Sequence, residues 1–252
     1  MLVLALASAS VETGTNMAII GSLFQPVPLS DFYSKLTTKW TLVEAANATR
    51  ADIAAASTFV QVPMNQLAGA TAGKLYQYSF TGVPQSLVDA IPSQFAVSNC
   101  HQSSVPIAEY TLGQILQWTV GINRMDTDLR QCTWRSAPPG NNCSGIRGRH
   151  RQVSNLTIGI LGYGHIGEAI AVRAAAFGAR LIATTLDPPA KPPAPLTWIG
   201  DDTLNPKLFA ESDFIVICTP LLNSTRGLVG KELLGHLSSE AVLVNIAYDA
   251  RA

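Results

Sequence analysis

Apolar residues in this chain gather in short runs separated by polar or proline-rich stretches. Runs of this kind, bounded by turn residues, are the pattern of strands buried on both faces of a parallel sheet. In the first part of the chain they fall at 17–21, 40–44, 58–62, 75–80 and 95–99. Stretches of helical spacing lie between them at 29–36, 50–56 and 84–90. Asp31 and Asp52 fall in first helical turns, where a carboxylate complements the helix dipole. Alternating strand and helix predicts a parallel sheet with crossover helices, a complete small domain over residues 1–105.

Residues 106–130 read as one long helix or a broken pair, with Gly113 and Gly121 as the kink positions. Ile107, Tyr110, Leu112, Ile115, Leu116, Val120 and Ile122 supply a wide apolar face. A loop rich in Gly, Asn and Pro follows, then a basic stretch at 147–151 that reads as solvated surface. A second α/β rhythm starts at Val153, with strands expected at 157–161, 180–184, 214–218 and 241–246. Residues 188–195 form a proline-rich turn that is neither helix nor inner strand. The expected architecture is α/β: two domains, 1–105 and 106–252, with 106–150 a helical and loop connection.

The chemistry sits at the first strand of the second domain. Thr157-Ile158-Gly159-Ile160-Leu161 runs straight into Gly162-Tyr163-Gly164-His165-Ile166-Gly167, and residues 168–177 read as a helix. Strand, G-x-G-x-x-G turn and helix together form a dinucleotide-binding unit. The first glycine makes the turn, the second admits the pyrophosphate to the backbone, and the third lets helix and strand pack closely. The helix amides then point at the anion.

Composition narrows the alternatives. Apolar residues make up 47% of the 252, charged residues 13%, and the formal net charge is zero. No basic stripe favours nucleic acid or an anionic membrane as a partner. The four cysteines, Cys100, Cys132, Cys143 and Cys218, form no C-x-x-C pair, so a zinc site is not expected. Residues 1–9 resemble a signal peptide only faintly, lacking a basic start, and a cytoplasmic location is expected.

An ordered series of further motifs resembles the D-isomer-specific 2-hydroxyacid dehydrogenases. It comprises Val97-Ser98-Asn99, Ile107-Ala108-Glu109-Tyr110, the glycine loop with its strand, and Ala176-Phe177-Gly178. It continues through Glu211-Ser212-Asp213-Phe214, Thr219-Pro220-Leu221, Thr225-Arg226-Gly227-Leu228 and Ala241-Val242-Leu243-Val244-Asn245-Ile246-Ala247. The resemblance implies a flavodoxin-like substrate domain, a doubly wound Rossmann cofactor domain, a cleft between them and a homodimer built through the cofactor domain. It implies hydride transfer between NAD or NADP and a small 2-oxo or 2-hydroxy acid. Thr81, Gly82 and Val83 would hold the substrate carboxylate. Ile107 would face the nicotinamide, Gly164, His165 and Ile166 would hold the pyrophosphate, and Gly162, Tyr163 and Gly167 would complete the cofactor-binding loop. Cys218, Thr219, Pro220 and Thr225 would lie on the cofactor side, with Asn245, Ile246 and Ala247 near the nicotinamide ribose.

The sequence also departs from that pattern. The family acid that takes the adenosine ribose hydroxyls is Thr185 here, with Asp187 two residues on as a substitute. NADP therefore stays open beside NAD, with Lys191 or Arg180 as phosphate partners. The family's carboxylate-clamping arginine is Tyr248 here, and one hydroxyl cannot replace a charged bidentate fork. The glutamate and histidine that supply the family's proton fall further along. None of His101, His150, His165 and His236 matches that place. The expectation is a cofactor domain incomplete at its C-terminal edge, with residues 241–246 as an edge strand and catalysis impaired. A non-catalytic NAD(H)-sensing module and an incomplete gene product are the other readings.

Overall fold

The computed structural model describes residues 16–21, 29–36, 38–131 and 151–247. The chain divides into two compact units, residues 1–102 and 103–252. In the first, β1 (Met17–Ile20), β2 (Thr41–Glu44), β3 (Thr58–Val60), β4 (Leu75–Gln77) and β5 (Ala96–Ser98) form a wholly parallel sheet in the order β2-β1-β3-β4-β5. That is the flavodoxin-like order. Helices α1 (Leu29–Tyr33), α2 (Arg50–Ala55) and α3 (Gln85–Ala90) lie in its connections. Alternate strand residues serve opposite faces, as a pleated strand requires. Ile19, Phe59 and Tyr76 pack with Leu87 and Phe95 on one side. Ala18, Ile20, Leu42 and Val60 pack with Trp40 on the other. Helix α2 opens on a capping box in which Thr49 and Asp52 exchange hydrogen bonds.

The second unit opens with α4 (Ser104–Val120) and α5 (Ile122–Arg130). The predicted long helix is thus a broken pair. The break is at Gly121, whose φ of 71° is left-handed, while α4 runs straight through Gly113. It also starts two residues before Pro106, because a proline in the first turn gives up only an amide with no intrahelical partner. Then come β6 (Thr157–Leu161), α6 (His165–Ala175), β7 (Arg180–Thr184), β8 (Trp198–Gly200), α7 (Asn205–Glu211), β9 (Phe214–Ile217), α8 (Lys231–Leu234) and β10 (Val242–Asn245). All five strands are parallel, in the order β10-β9-β6-β7-β8. Counted from β6, this is the dinucleotide-binding 3-2-1-4-5 arrangement.

Helices cover both faces of this sheet. Ala108, Leu112 and Ile115 of α4 and Ile170, Ala171 and Ala174 of α6 pack on Ile158, Ile160, Leu181, Phe214 and Val216. Leu208 and Phe209 of α7 with Leu233 of α8 pack on Leu161, Ile182, Ile215 and Ile217. The near-continuous apolar strands of the sequence follow from this double cover. At the N-terminal edge, Arg151 pairs with Asp213 at 3.2 Å, and the second oxygen of Asp213 accepts the Thr157 N–H at 2.9 Å. Arg151, expected as solvated charge, is therefore a staple, and residues 147–150 lie outside the described residues. His236 follows α8 and is not within it.

Candidate cofactor site

The order of the second sheet reverses at β6, which has β7 on one side and β9 on the other. Open α/β sheets bind ligands beyond the carboxyl ends of the strands at such a reversal. Residues 162–167 lie there. Gly162 has φ +96°, and a Cβ on it would stand 2.9 Å from the Thr219 nitrogen and 3.1 Å from the Cys218 carbonyl carbon. Its N–H and that of Tyr163 both donate to the Thr184 carbonyl, at 2.9 and 3.1 Å. The end of β7 thereby fixes the loop. A Cβ on Gly167 would stand 2.9 Å from the Gly162 oxygen. Gly164 differs, because a Cβ there would meet nothing within 4 Å. The outer glycines are needed for packing, and the middle one faces open space.

That open space lies at the start of α6. Gly164 is the N-cap and brings no side chain to it, and the Glu168 N–H is the amide that closes the first turn, on the Gly164 carbonyl at 2.8 Å. The amides of the first turn have no acceptor within the helix, so a dinucleotide pyrophosphate fits the residues present. The Tyr163 hydroxyl is buried and meets no hydrogen-bond partner, and burial and the nearby Glu168 raise its pKa.

The other sequence candidates of this unit distribute along the same edge. Thr185 is half-buried, with its N–H donated to the Gly200 carbonyl at 2.9 Å, and Asp187 is exposed. Cys218 donates its N–H to the Leu161 carbonyl at 2.8 Å, and burial pushes its thiol pKa up to about 12. A cavity of about 160 Å³ lies beyond β9 and β10, lined by Thr219, Pro220, Thr225, Asn245 and Ala247 among others. The Thr225 hydroxyl is committed to its own loop, donating to the Pro220 carbonyl at 2.5 Å and accepting the Leu222 N–H at 2.8 Å. Asn245 accepts the Ala247 N–H at 3.0 Å, and the Ile246 N–H reaches the Ile217 carbonyl. Ile107 is half-buried on α4, where its carbonyl accepts the Thr111 hydroxyl. Tyr248 lies outside the described residues.

Thr81, Gly82 and Val83 lie in the first unit, past the end of β4, all half-buried. The Asn99 side-chain amide donates to the Thr81 carbonyl at 2.5 Å and so ties this loop to the end of β5. Arg180 is not near a cofactor ribose. It begins β7, at the opposite end of the strand from Thr185, and pairs with Glu211 at 2.7 Å. Sequence reasoning missed Thr184, whose carbonyl anchors the loop and whose hydroxyl donates to Asn205 at 2.7 Å. It also missed the turn after β8. The signal there was Asp201 two residues before Thr203, a side-chain turn cap.

Strand order, glycine loop and uncapped helix together define a dinucleotide-binding α/β protein. Residues 112–250 match the NAD binding domain of the D-isomer specific 2-hydroxyacid dehydrogenases, and the chain belongs to that family. It is 32% identical to a hydroxypyruvate reductase of Thermotoga maritima over 154 residues, which is 60% of this chain and 45% of that protein. Over 184 residues it is 31% identical to a D-3-phosphoglycerate dehydrogenase of Mycobacterium tuberculosis, 72% of this chain and 33% of that one. The chain thus spans less than half the length of these curated relatives. A D-isomer specific 2-hydroxyacid dehydrogenase from Xanthobacter autotrophicus, solved with NADPH and MES, has the same fold. Its TM-score is 0.74 at 22% identity, over 91% of this chain and 72% of that one.

Proposed function

We propose that the second unit binds NAD(H) across the glycine loop and that the family's hydride transfer to a small 2-oxo acid is at most weak in these 252 residues. The observation that carries the first part is the open space at Gly164, at the start of an uncapped helix and at the reversal of the strand order. Bound NADH would supply the hydride. This chain's own residues supply the binding, with first-turn amides of α6 facing the pyrophosphate and the ends of β7, β9 and β10 bordering it. The second part rests on Tyr248 in the place of the arginine that would clamp the substrate carboxylate. Thr81, Gly82 and Val83 remain the candidates for that carboxylate's backbone contacts.

A homodimer in the cytoplasm completes the reading. Tyr110, Trp118, Ile122 and Leu129 of α4 and α5 are large, apolar and more than half exposed, a surface suited to a second copy. Cys100 and Cys218 are free thiols, in keeping with a reducing compartment. Among the described residues no helix is long and apolar enough to cross a membrane.

The test is a titration of the folded chain with NADH, followed by tryptophan-to-nicotinamide fluorescence transfer, beside turnover assays with glyoxylate and hydroxypyruvate. Saturable binding with turnover near background is expected. Absence of binding sinks the first part, and robust NADH oxidation sinks the second.

A further inference from the structure

The adenosine ribose of a bound dinucleotide lies beyond the strand that follows the glycine-loop helix, which here is β7. The residue at its end is the neutral Thr185, and the Thr185 N–H is already donated to the Gly200 carbonyl. Thr184 and Gly200 are register partners in adjacent parallel strands. The residues after Gly200 therefore emerge beside Thr185. They are Asp201 and Asp202. Asp201 is half-buried and holds the Thr203 N–H and hydroxyl, at 3.1 and 2.5 Å, which fixes the turn. Asp202 is exposed in that turn, and Asp187 is exposed two residues past Thr185.

Two of the basic side chains around β7 and β8 are engaged elsewhere. Arg180 and Lys207 are both drawn to Glu211, at 2.7 and 3.8 Å, and Lys207 also sits 4.9 Å over the Trp198 ring. Lys191 is exposed within the proline-rich connection between β7 and β8. A ribose 2′-phosphate would bring about two negative charges to the ends of β7 and β8, where like charges oppose it. A free 2′-hydroxyl instead donates a hydrogen bond to a carboxylate.

We infer that this site selects the dinucleotide with a free 2′-hydroxyl, NAD(H) over NADP(H), and that Asp202 of the β8 turn enforces the choice together with Asp187. The inference rests on the cofactor-site reading above. Titration of the full chain with NADH and with NADPH, each at low and at high salt, tests it. NADH binds at least about ten-fold more tightly at low salt, and the gap narrows as salt screens the repulsion. In the Asp187→Asn/Asp202→Asn double variant, NADPH binds more tightly and comes within about three-fold of NADH, which itself weakens as the carboxylates that accept its 2′-hydroxyl are lost. If the double variant loses cooperative unfolding, Asp187→Asn alone carries the comparison, since Asp187 lies outside every regular element. Equal or tighter NADPH binding by the unaltered chain, or a gap the variants leave untouched, overturns the inference and leaves the cofactor site standing. Binding of neither dinucleotide by the folded chain overturns both.

Discussion

The two sheets of this chain are built alike, yet their strand-order reversals are furnished in opposite ways. In the first sheet the reversal lies between β1 and β3. There Gly21 follows β1, and a Cβ on it would stand 2.3 Å from the Gln61 carbonyl oxygen. Gln61 itself has φ 50°, a left-handed conformation that a non-glycine residue adopts at a cost. Its N–H donates to the Gln77 carbonyl at 2.9 Å, and its side-chain oxygen accepts the Ser79 N–H at 2.8 Å. Backbone fills that position. In the second sheet the reversal lies between β6 and β9, and the middle glycine of the loop beside it faces open space. A glycine at a strand end therefore has no single meaning. What a Cβ would touch separates a packing glycine from one that leaves room for a ligand.

The largest effect should come from filling the closed position. Gly21→Ala places a methyl inside van der Waals contact with the carbonyl of a residue held by its N–H and its side chain, so the backbone must shift. A loss of about 2–4 kcal/mol of stability is expected, read from urea unfolding. NADH affinity of the protein that remains folded should be unchanged. A neutral Gly21→Ala would show that the Gln61 carbonyl yields, and that the first reversal is less firmly closed than the contact implies.

Gly164→Val reverses the signature. The residue has φ −108° and ψ −160°, which any residue adopts, and a Cβ on it meets nothing within 4 Å. Stability should fall by no more than about 1 kcal/mol, the difference between glycine and valine at an N-cap. NADH affinity should drop at least about ten-fold, or about 1.4 kcal/mol, because the side chain occupies the approach to the backbone. Retained affinity would place the dinucleotide elsewhere.

The open loop was legible in the sequence because an apolar strand, three glycines and a helix fall in one order. Strands 157–161 and 180–184 keep their predicted bounds. Apart from β2, which starts one residue later and ends as predicted, the other strands end one to three residues earlier than predicted, although the Gly21 and Cys218 amides still bond to the neighbouring strand. Helix α6 begins three residues before its predicted start, because the last glycine-loop residues already form its first turn. The closed reversal was not legible, since the left-handed Gln61 carries no sequence signal. Neither β8 nor α7 was anticipated. β8 has three residues behind a proline-rich turn, while α7 carried a readable mark in Pro206 at its start. The neighbours of Thr185 depended on β8, so the carboxylates of its turn came into view only with the sheet order.

The smallest effect concerns Cys218, beside the open loop. Burial pushes its thiol pKa up to about 12, so at pH 8 it is a neutral thiol and a poor nucleophile. Alkylation by iodoacetamide should be at least about ten-fold slower in the folded chain than in urea, where the thiol ionises near its ordinary value. The raised value also sets a direction for stability. Above about pH 9 the unfolded thiol loses its proton while the folded one keeps it, so protons are bound more by the folded state. The contribution is complete below that pH and declines as pH rises toward 12. Cys218→Ala should therefore flatten the alkaline fall in the urea midpoint between pH 8 and pH 10. Rapid labelling of folded Cys218 at pH 8 would mean that the end of β9 opens to solvent. The open space would then extend past Gly164 to the Thr219 contact that now holds Gly162, and the contrast between the two reversals would be one of mobility as much as of shape.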